Sequence, residues 1–164
     1  MSYDLFGIEN PLVDLLARVP DDLLPRLGLE KNRMFLVDQA RHREILEALN
    51  GLPIHAEPGG SCANTILGVA QLGARTAYCG KVGGDAYGRV YIEKLEQAGV
   101  ASFVRASGTL TGSTVILVTP DAARTMNTFL GACQELTATD LPLDAIAQSR
   151  RLYITGYLWD TDGQ

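Results

Sequence analysis

An α/β fold built on a mostly parallel sheet is predicted by three observations. Strand-sized apolar runs alternate with segments of helical period through residues 4–99, the order that packs helices against a sheet in layers. Two β-rich runs then follow one another around a turn at Pro120 and Asp121, which adds an antiparallel piece. The chain has 164 residues, 46% hydrophobic and 20% charged. That is enough for one well-filled core and unlike a disordered chain.

Taken in order, Asp4 to Ile8 reads as a first strand and Leu12 to Val19 as a second, ended by Pro20 and interrupted by the acid Asp14. Arg41 to Leu49 is amphipathic, with Ile45, Leu46 and Leu49 on one face and Asn50-Gly51 as its stop. The next helix has Ala63, Ile66, Leu67 and Ala70 at i, i+3, i+4 and i+7, with Ser61 as N-cap and Gly73 as terminator. A short strand at Arg75 to Cys79 precedes a helix capped by Asp85, whose stripe is Tyr87, Tyr91, Leu95 and Ala98. Ser113 to Thr119 and Arg124 to Leu130 form the hairpin. A short helix follows in the segment Thr137 to Ala147, and Arg151 to Thr155 reads as a buried strand. No helical pattern follows that strand, so the last βα unit is expected to be incomplete.

Composition removes several functions. With 14 Lys+Arg against 19 Asp+Glu and a formal charge of -5, the chain lacks the basic surface that grips a nucleic acid polymer. No run approaches the roughly 18 apolar residues of a membrane-spanning helix, and the acidic N-terminus is unlike a secretion signal. Cys62, Cys79 and Cys133 form an odd set without CxxC spacing, which suits a reducing compartment, so a cytoplasmic protein is expected. His42 and His55 have no cysteine near them in sequence, which removes the usual zinc sets. Gly83 to Gly88 has the glycine spacing of a phosphate loop, but Arg89-Val90 stands where Lys-Ser/Thr is needed. Asp160 and Asp162 resemble the start of a calcium loop without its remaining ligands, and read as solvated carboxylates.

Three features carry chemistry. Gly59-Gly60-Ser61 opens a helix, where a glycine pair lets a ligand approach the backbone and the first amides are unpaired; it is a binding loop or a well-capped turn. Asp14 shares a strand face with Leu12 and Leu16, so its carboxylate either points to water or sits at the mouth of a site. Arg124, at the start of the second hairpin strand, reads locally as an exposed turn cation.

Together, Gly59 to Asn64 running on through Gly68 and Gly73, Gly80 to Gly88, and Leu95 to Val100 resemble the first signature of the ribokinase-type (PfkB) family of sugar and nucleoside kinases. The opening Gly7 to Asp14 is similar to the adenosine kinase branch of that family, as are Arg124 to Thr128 and Tyr153 to Tyr157. Position 9 departs from the pattern, with Glu where a Gly before Asn10 is expected. The resemblance extends over essentially the whole chain.

It implies a ribokinase-like fold: a Rossmann-like, mostly parallel sheet flanked by helices, with a small antiparallel β lid whose strands fall near 12–19, 113–119 and 124–130. It also implies that Asp14 accepts hydrogen bonds from two sugar hydroxyls. Gly59, Gly60, Ser61 and Asn64 would form the floor and side of the pocket, and Arg124 would reach in from the lid. The partner is then a small nucleoside or sugar, with ATP and Mg2+ serving the complete enzyme and no metal held by this chain. The family's second signature, a Gly-Ala-Gly-Asp that supplies the general base, has no counterpart among these residues. Residues 1–164 are therefore expected to be an N-terminal part, truncated before the ATP-binding and catalytic part, without a catalytic residue and inactive alone. An uncovered sheet edge or the lid would support homo-oligomers. The alternative expectation is a noncatalytic sugar- or nucleoside-binding or assembly module.

Overall fold

The computed structural model describes residues 2–159; the acids Asp160 and Asp162 lie outside the described residues. The chain begins with β1 (Leu5–Ile8) and β2 (Val13–Arg18), then a single helical turn α1 (Leu23–Arg26) and β3 (Met34–Leu36). Next come α2 (Gln39–Ala48), β4 (Ile54–Pro58), α3 (Ser61–Gln71), β5 (Thr76–Gly83) and α4 (Ala86–Gln97). β6 (Ala101–Ser107), β7 (Ser113–Val118) and β8 (Arg124–Phe129) lead to 3-10 turns at Gly131–Glu135 and Ala138–Asp140. The short α5 (Leu143–Ala147), β9 (Leu152–Ile154) and a last 3-10 turn at Gly156–Trp159 end the described chain.

The strands form two sheets. One is four-stranded and wholly parallel in the order β6-β5-β1-β9. The other is five-stranded in the order β3-β8-β7-β2-β4. Its centre is the antiparallel hairpin of β7 and β8, as the turn chemistry predicts. β2 joins β7 and β3 joins β8 in parallel, while β4 runs antiparallel to β2, which makes the second sheet mixed rather than purely antiparallel.

Local chemistry accounts for the helices. Asp38 caps α2 by accepting from the Arg41 N–H at 2.8 Å, and Asp85 caps α4 by accepting from Gly88 at 2.9 Å. The N-cap of α3 is Gly60, not Ser61, and no cap side chain reaches the helix. The apolar faces of these helices meet the sheets in one core that joins Leu15 and Ala17 of β2, Ile45 of α2, Ile66 of α3, Tyr78 of β5 and Leu95 of α4. A second cluster on the other side of the parallel sheet gathers Phe6, Ile8, Ala77, Cys79 and Leu136.

Three elements of the sheets escape the sequence reading: β3, β4 and β6, of which β3 has three residues and β4 is largely exposed. The strand at 152–154 is present but not buried, because it is the edge of the parallel sheet; Leu152 and Ile154 remain 47% and 40% exposed. Among the described residues no helix is long and apolar enough to cross a membrane, and the three cysteines are buried.

Candidate functional site

The pleat of β2 decides where Asp14 points. Val13, Leu15 and Ala17 are buried toward the helices, so Asp14, on the alternate face, looks the other way. There it lines a cavity of about 230 Å³ with Glu9, Asn10, Gly60, Ser61 and Arg124. The mixed sheet supplies the rest of the wall at period two: Thr114 and Ile116 from β7, Met126 and Thr128 from β8. Register explains the grouping, since Asp14 is the Cα partner of Thr114, and Thr114 of Thr128. The Thr114 and Thr128 hydroxyls are themselves hydrogen bonded at 3.1 Å. Met34 and Leu36 of β3 and Tyr157 of the last turn complete the lining.

The glycine pair is shaped by two acids. A Cβ on Gly59 would collide with the carboxylate of Asp14. Gly60 has φ +98°, and a Cβ there would lie 3.2 Å from Glu9 Oε2. Glycine is therefore required at 59 by space and at 60 by conformation and space together. The Gly59 amide donates to the Leu12 carbonyl at 2.8 Å, and its own carbonyl accepts from the Tyr91 hydroxyl at 3.0 Å. The turn is thus tied on one side to the strand that carries Asp14 and on the other to α4.

The acids differ in their surroundings. Glu9 is 2% exposed. Its Oε1 accepts from the hydroxyls of Ser61 at 2.7 Å and Thr155 at 2.6 Å, and its Oε2 accepts from the Cys62 N–H at 2.7 Å. Asp14 is half-buried, and its side chain has no hydrogen-bond partner among the described residues. Burial pushes its carboxyl above the usual aspartate range; the Arg124 charge acts in the opposite direction and the Glu57 charge in the same one. Beside Glu9, the Cys62 thiol is pushed up to about 12, first by burial and then by the Glu9 charge. It is a packing group and not a nucleophile.

The structure therefore brings Asp14, Gly60, Ser61 and Arg124 to one cavity, with Gly59 against the Asp14 carboxylate but not in the lining, and the Ser61 hydroxyl is committed to Glu9. Asn64 is not part of the lining; it is exposed in the first turn of α3, its N–H bonded to the Gly60 carbonyl. Glu9, Asn10 and Tyr157 lie within the stretches Gly7 to Asp14 and Tyr153 to Tyr157 but are not among the expected site residues, because only the fold shows that they face the cavity. Thr114, Met126 and Thr128 follow by counting in twos from Asp14's partner strand and from Arg124.

A larger cavity of about 330 Å³ lies between α2, α4 and β7, with His42, Asp85, Leu110 and Phe129 in its wall. Its acid and its imidazole are already paired. His42 Nε2 meets the Ser113 hydroxyl at 2.8 Å, and Asp85 accepts from Gly88 and from both the N–H and hydroxyl of Thr111. The smaller cavity is the one with an acid and a cation unspent. Among the described residues no group of three or more His, Cys, Asp and Glu could hold a metal ion.

Comparison with known proteins agrees with this arrangement. Residues 37–163 match the model of the pfkB family of carbohydrate kinases. The chain is 31% identical to adenosine kinase of Saccharomyces cerevisiae over 96% of its own length and 48% of that protein's. Its backbone matches the crystal structure of adenosine kinase from Sinorhizobium meliloti with a TM-score of 0.87 and 39% identity, over 96% of this chain and 48% of that one. A probable sugar kinase from Rhizobium etli matches with a TM-score of 0.86 and 36% identity, over the same shares. The chain thus spans about half the length of the relatives it matches, and its fold is the corresponding portion of the adenosine kinase fold.

Proposed function

This chain belongs to the pfkB family of carbohydrate kinases, and from that premise we propose that it is the acceptor-binding and lid half of an ATP-dependent kinase acting on a hydroxyl of an adenosine-like nucleoside or a sugar. The observation that carries the reading is the meeting of Asp14 with the Gly59-Gly60 turn at one cavity wall. A half-buried carboxylate without an internal partner suits a pair of neighbouring hydroxyls, which together satisfy both its oxygens. Further along the same sheet face, Met34, Leu36, Ile116 and Met126 offer an apolar surface. An acid end and an apolar end favour a ligand with a diol at one side and a flat ring at the other, which is why a nucleoside fits better than a bare sugar.

In this reading residues 1–164 are an N-terminal part of the kinase domain. The strands near 12–19, 113–119 and 124–130 act as the lid that excludes water from the acceptor, and Arg124 projects a positive charge into the pocket from it. Asn64, exposed on the same helix end, serves the rim. ATP and Mg2+ would supply the phosphoryl group and its charge neutralisation. The described residues present neither a phosphate loop nor a carboxylate cluster that fits them. The role left to these residues is to hold the acceptor, and this chain alone is expected to bind without catalysing. An odd number of cysteines without CxxC spacing and an acidic charge balance support a cytoplasmic protein with a small-molecule partner and no nucleic acid polymer.

Calorimetric titration with adenosine, ribose and fructose tests the assignment. Saturable binding of adenosine, tighter than that of either sugar, is expected. Equal or tighter binding of a sugar removes the nucleoside preference, and no binding of any of the three removes the acceptor pocket.

A further inference from the structure

Glu9 is buried beside the pocket, outside the reading of Asp14 and Arg124. Its carboxylate does three things at once. It accepts the Cys62 N–H at the start of α3, it holds the Ser61 hydroxyl, and it ties both to Thr155 beyond the end of β9. α3 has eleven residues and a glycine N-cap with no side chain to spend. Such a helix start offers unpaired amides and the positive end of the helix dipole, a natural seat for an anion. Here the chain's own acid already occupies it.

We infer that Glu9 is a specificity-determining residue: a resident carboxylate at the start of α3 that excludes phosphorylated acceptors and leaves the pocket to uncharged polyols. The charge pattern of the lining agrees. Glu9 and Asp14 lie against the two halves of the Gly59-Gly60 turn, and Arg124 is the one cation among the residues that line the cavity. A phosphate entering beside this turn meets two negative groups at short range and finds the Cys62 amide taken. A hydroxyl meets no such opposition. The inference rests on the acceptor-pocket reading and adds the class of acceptor that the pocket turns away.

The test uses the full chain as wild type, Glu9→Gln and Glu9→Gly. Thermal unfolding with and without inorganic phosphate reads the helix start directly. The expected result is a larger phosphate-induced rise in Tm for both variants than for wild type, the comparison cancelling general salt effects. Titration with adenosine and adenosine 3′-monophosphate reads selectivity. Wild type is expected to prefer the uncharged ligand, and the variants to narrow that preference by about tenfold. A merely structural role for Glu9 would shift both ligands together and leave their ratio alone. The proposal is overturned if phosphate stabilises all three proteins equally, or if the ratio in Glu9→Gln equals that of wild type. Should Glu9→Gly not fold, the near-isosteric Glu9→Gln decides. If adenosine does not bind wild type, the nucleoside reading fails while the phosphate comparison still judges Glu9.

Discussion

Along β5 only Lys81 keeps part of its surface, whereas along β2 Val13, Leu15 and Ala17 are buried and Asp14 and Leu16 are not. At the centre of the parallel sheet β5 is covered on both sides: Tyr78 and Val82 belong to the core with α3, while Ala77 and Cys79 pack with Phe6 and Leu136. The mixed sheet gives one face to that core and the other to the pocket. A strand covered twice has no free face on which to lay a ligand. A strand covered once names its facing residues at period two, and that is how Asp14 comes to line the cavity.

The sharpest way to break this contrast is on β2 itself. Leu15→Ala is expected to cost about 2–5 kcal/mol in urea unfolding, and Leu16→Ala, next along the strand, about 1 kcal/mol or less. Equal costs would mean that β2 is covered on both faces. Second in size is Asp14→Asn, expected to weaken adenosine binding by about 1.5–3 kcal/mol in calorimetry, the range for a hydrogen bond to a charged group. The same change should raise the Tm of the unliganded chain slightly. The sign follows from the raised Asp14 pKa: the stability linked to its neutral form is present at low pH and lost as pH rises through the folded value, so the neutral side chain restores it at pH 7. In the acceptor-pocket reading binding has the opposite dependence, because the ionised acid would accept the hydroxyls. Affinity should therefore begin to fall on acidification at a higher pH than an ordinary aspartate would give, and the Asn variant should lack that limb.

Gly60→Ala comes next. A non-glycine residue at φ +98°, pressed toward Glu9, should cost about 1–3 kcal/mol by denaturant titration. No loss would mean that the turn adapts freely. The smallest effect on folding belongs to the open edge of the parallel sheet, where Ile154→Ser should change stability by about 0.5 kcal/mol or less. It should instead reduce self-association, read as a lower weight-average mass in sedimentation equilibrium. An unchanged mass would place any assembly elsewhere.

Much of this architecture can be read in the residues because the signals are local. The i, i+3, i+4, i+7 pattern of α3, the Asp85 cap and the Pro120-Asp121 turn each announce an element without help from the rest of the chain. β3 and β4 give no such signal. Their side chains are mostly exposed, and their pairing comes from β8 and β2, far along the chain. The same distinction runs through the site. Asp14 and the glycine pair stand out as an acid in an apolar run and as a helix opening, but Glu9 becomes visible only when Ser61 and Thr155, 52 and 146 positions away, converge on it. An apolar run also does not reveal whether its far side is covered, and so 152–154 reads as interior while forming an edge.

Because Asp14 and Glu9 wedge the Gly59-Gly60 bend from either side, and Tyr91 and Leu12 pin its backbone, that bend has its working shape before any guest arrives. If the acceptor-pocket reading holds, capture would freeze little of it, and the entropic toll of docking would fall on the visitor and on the proposed lid strands.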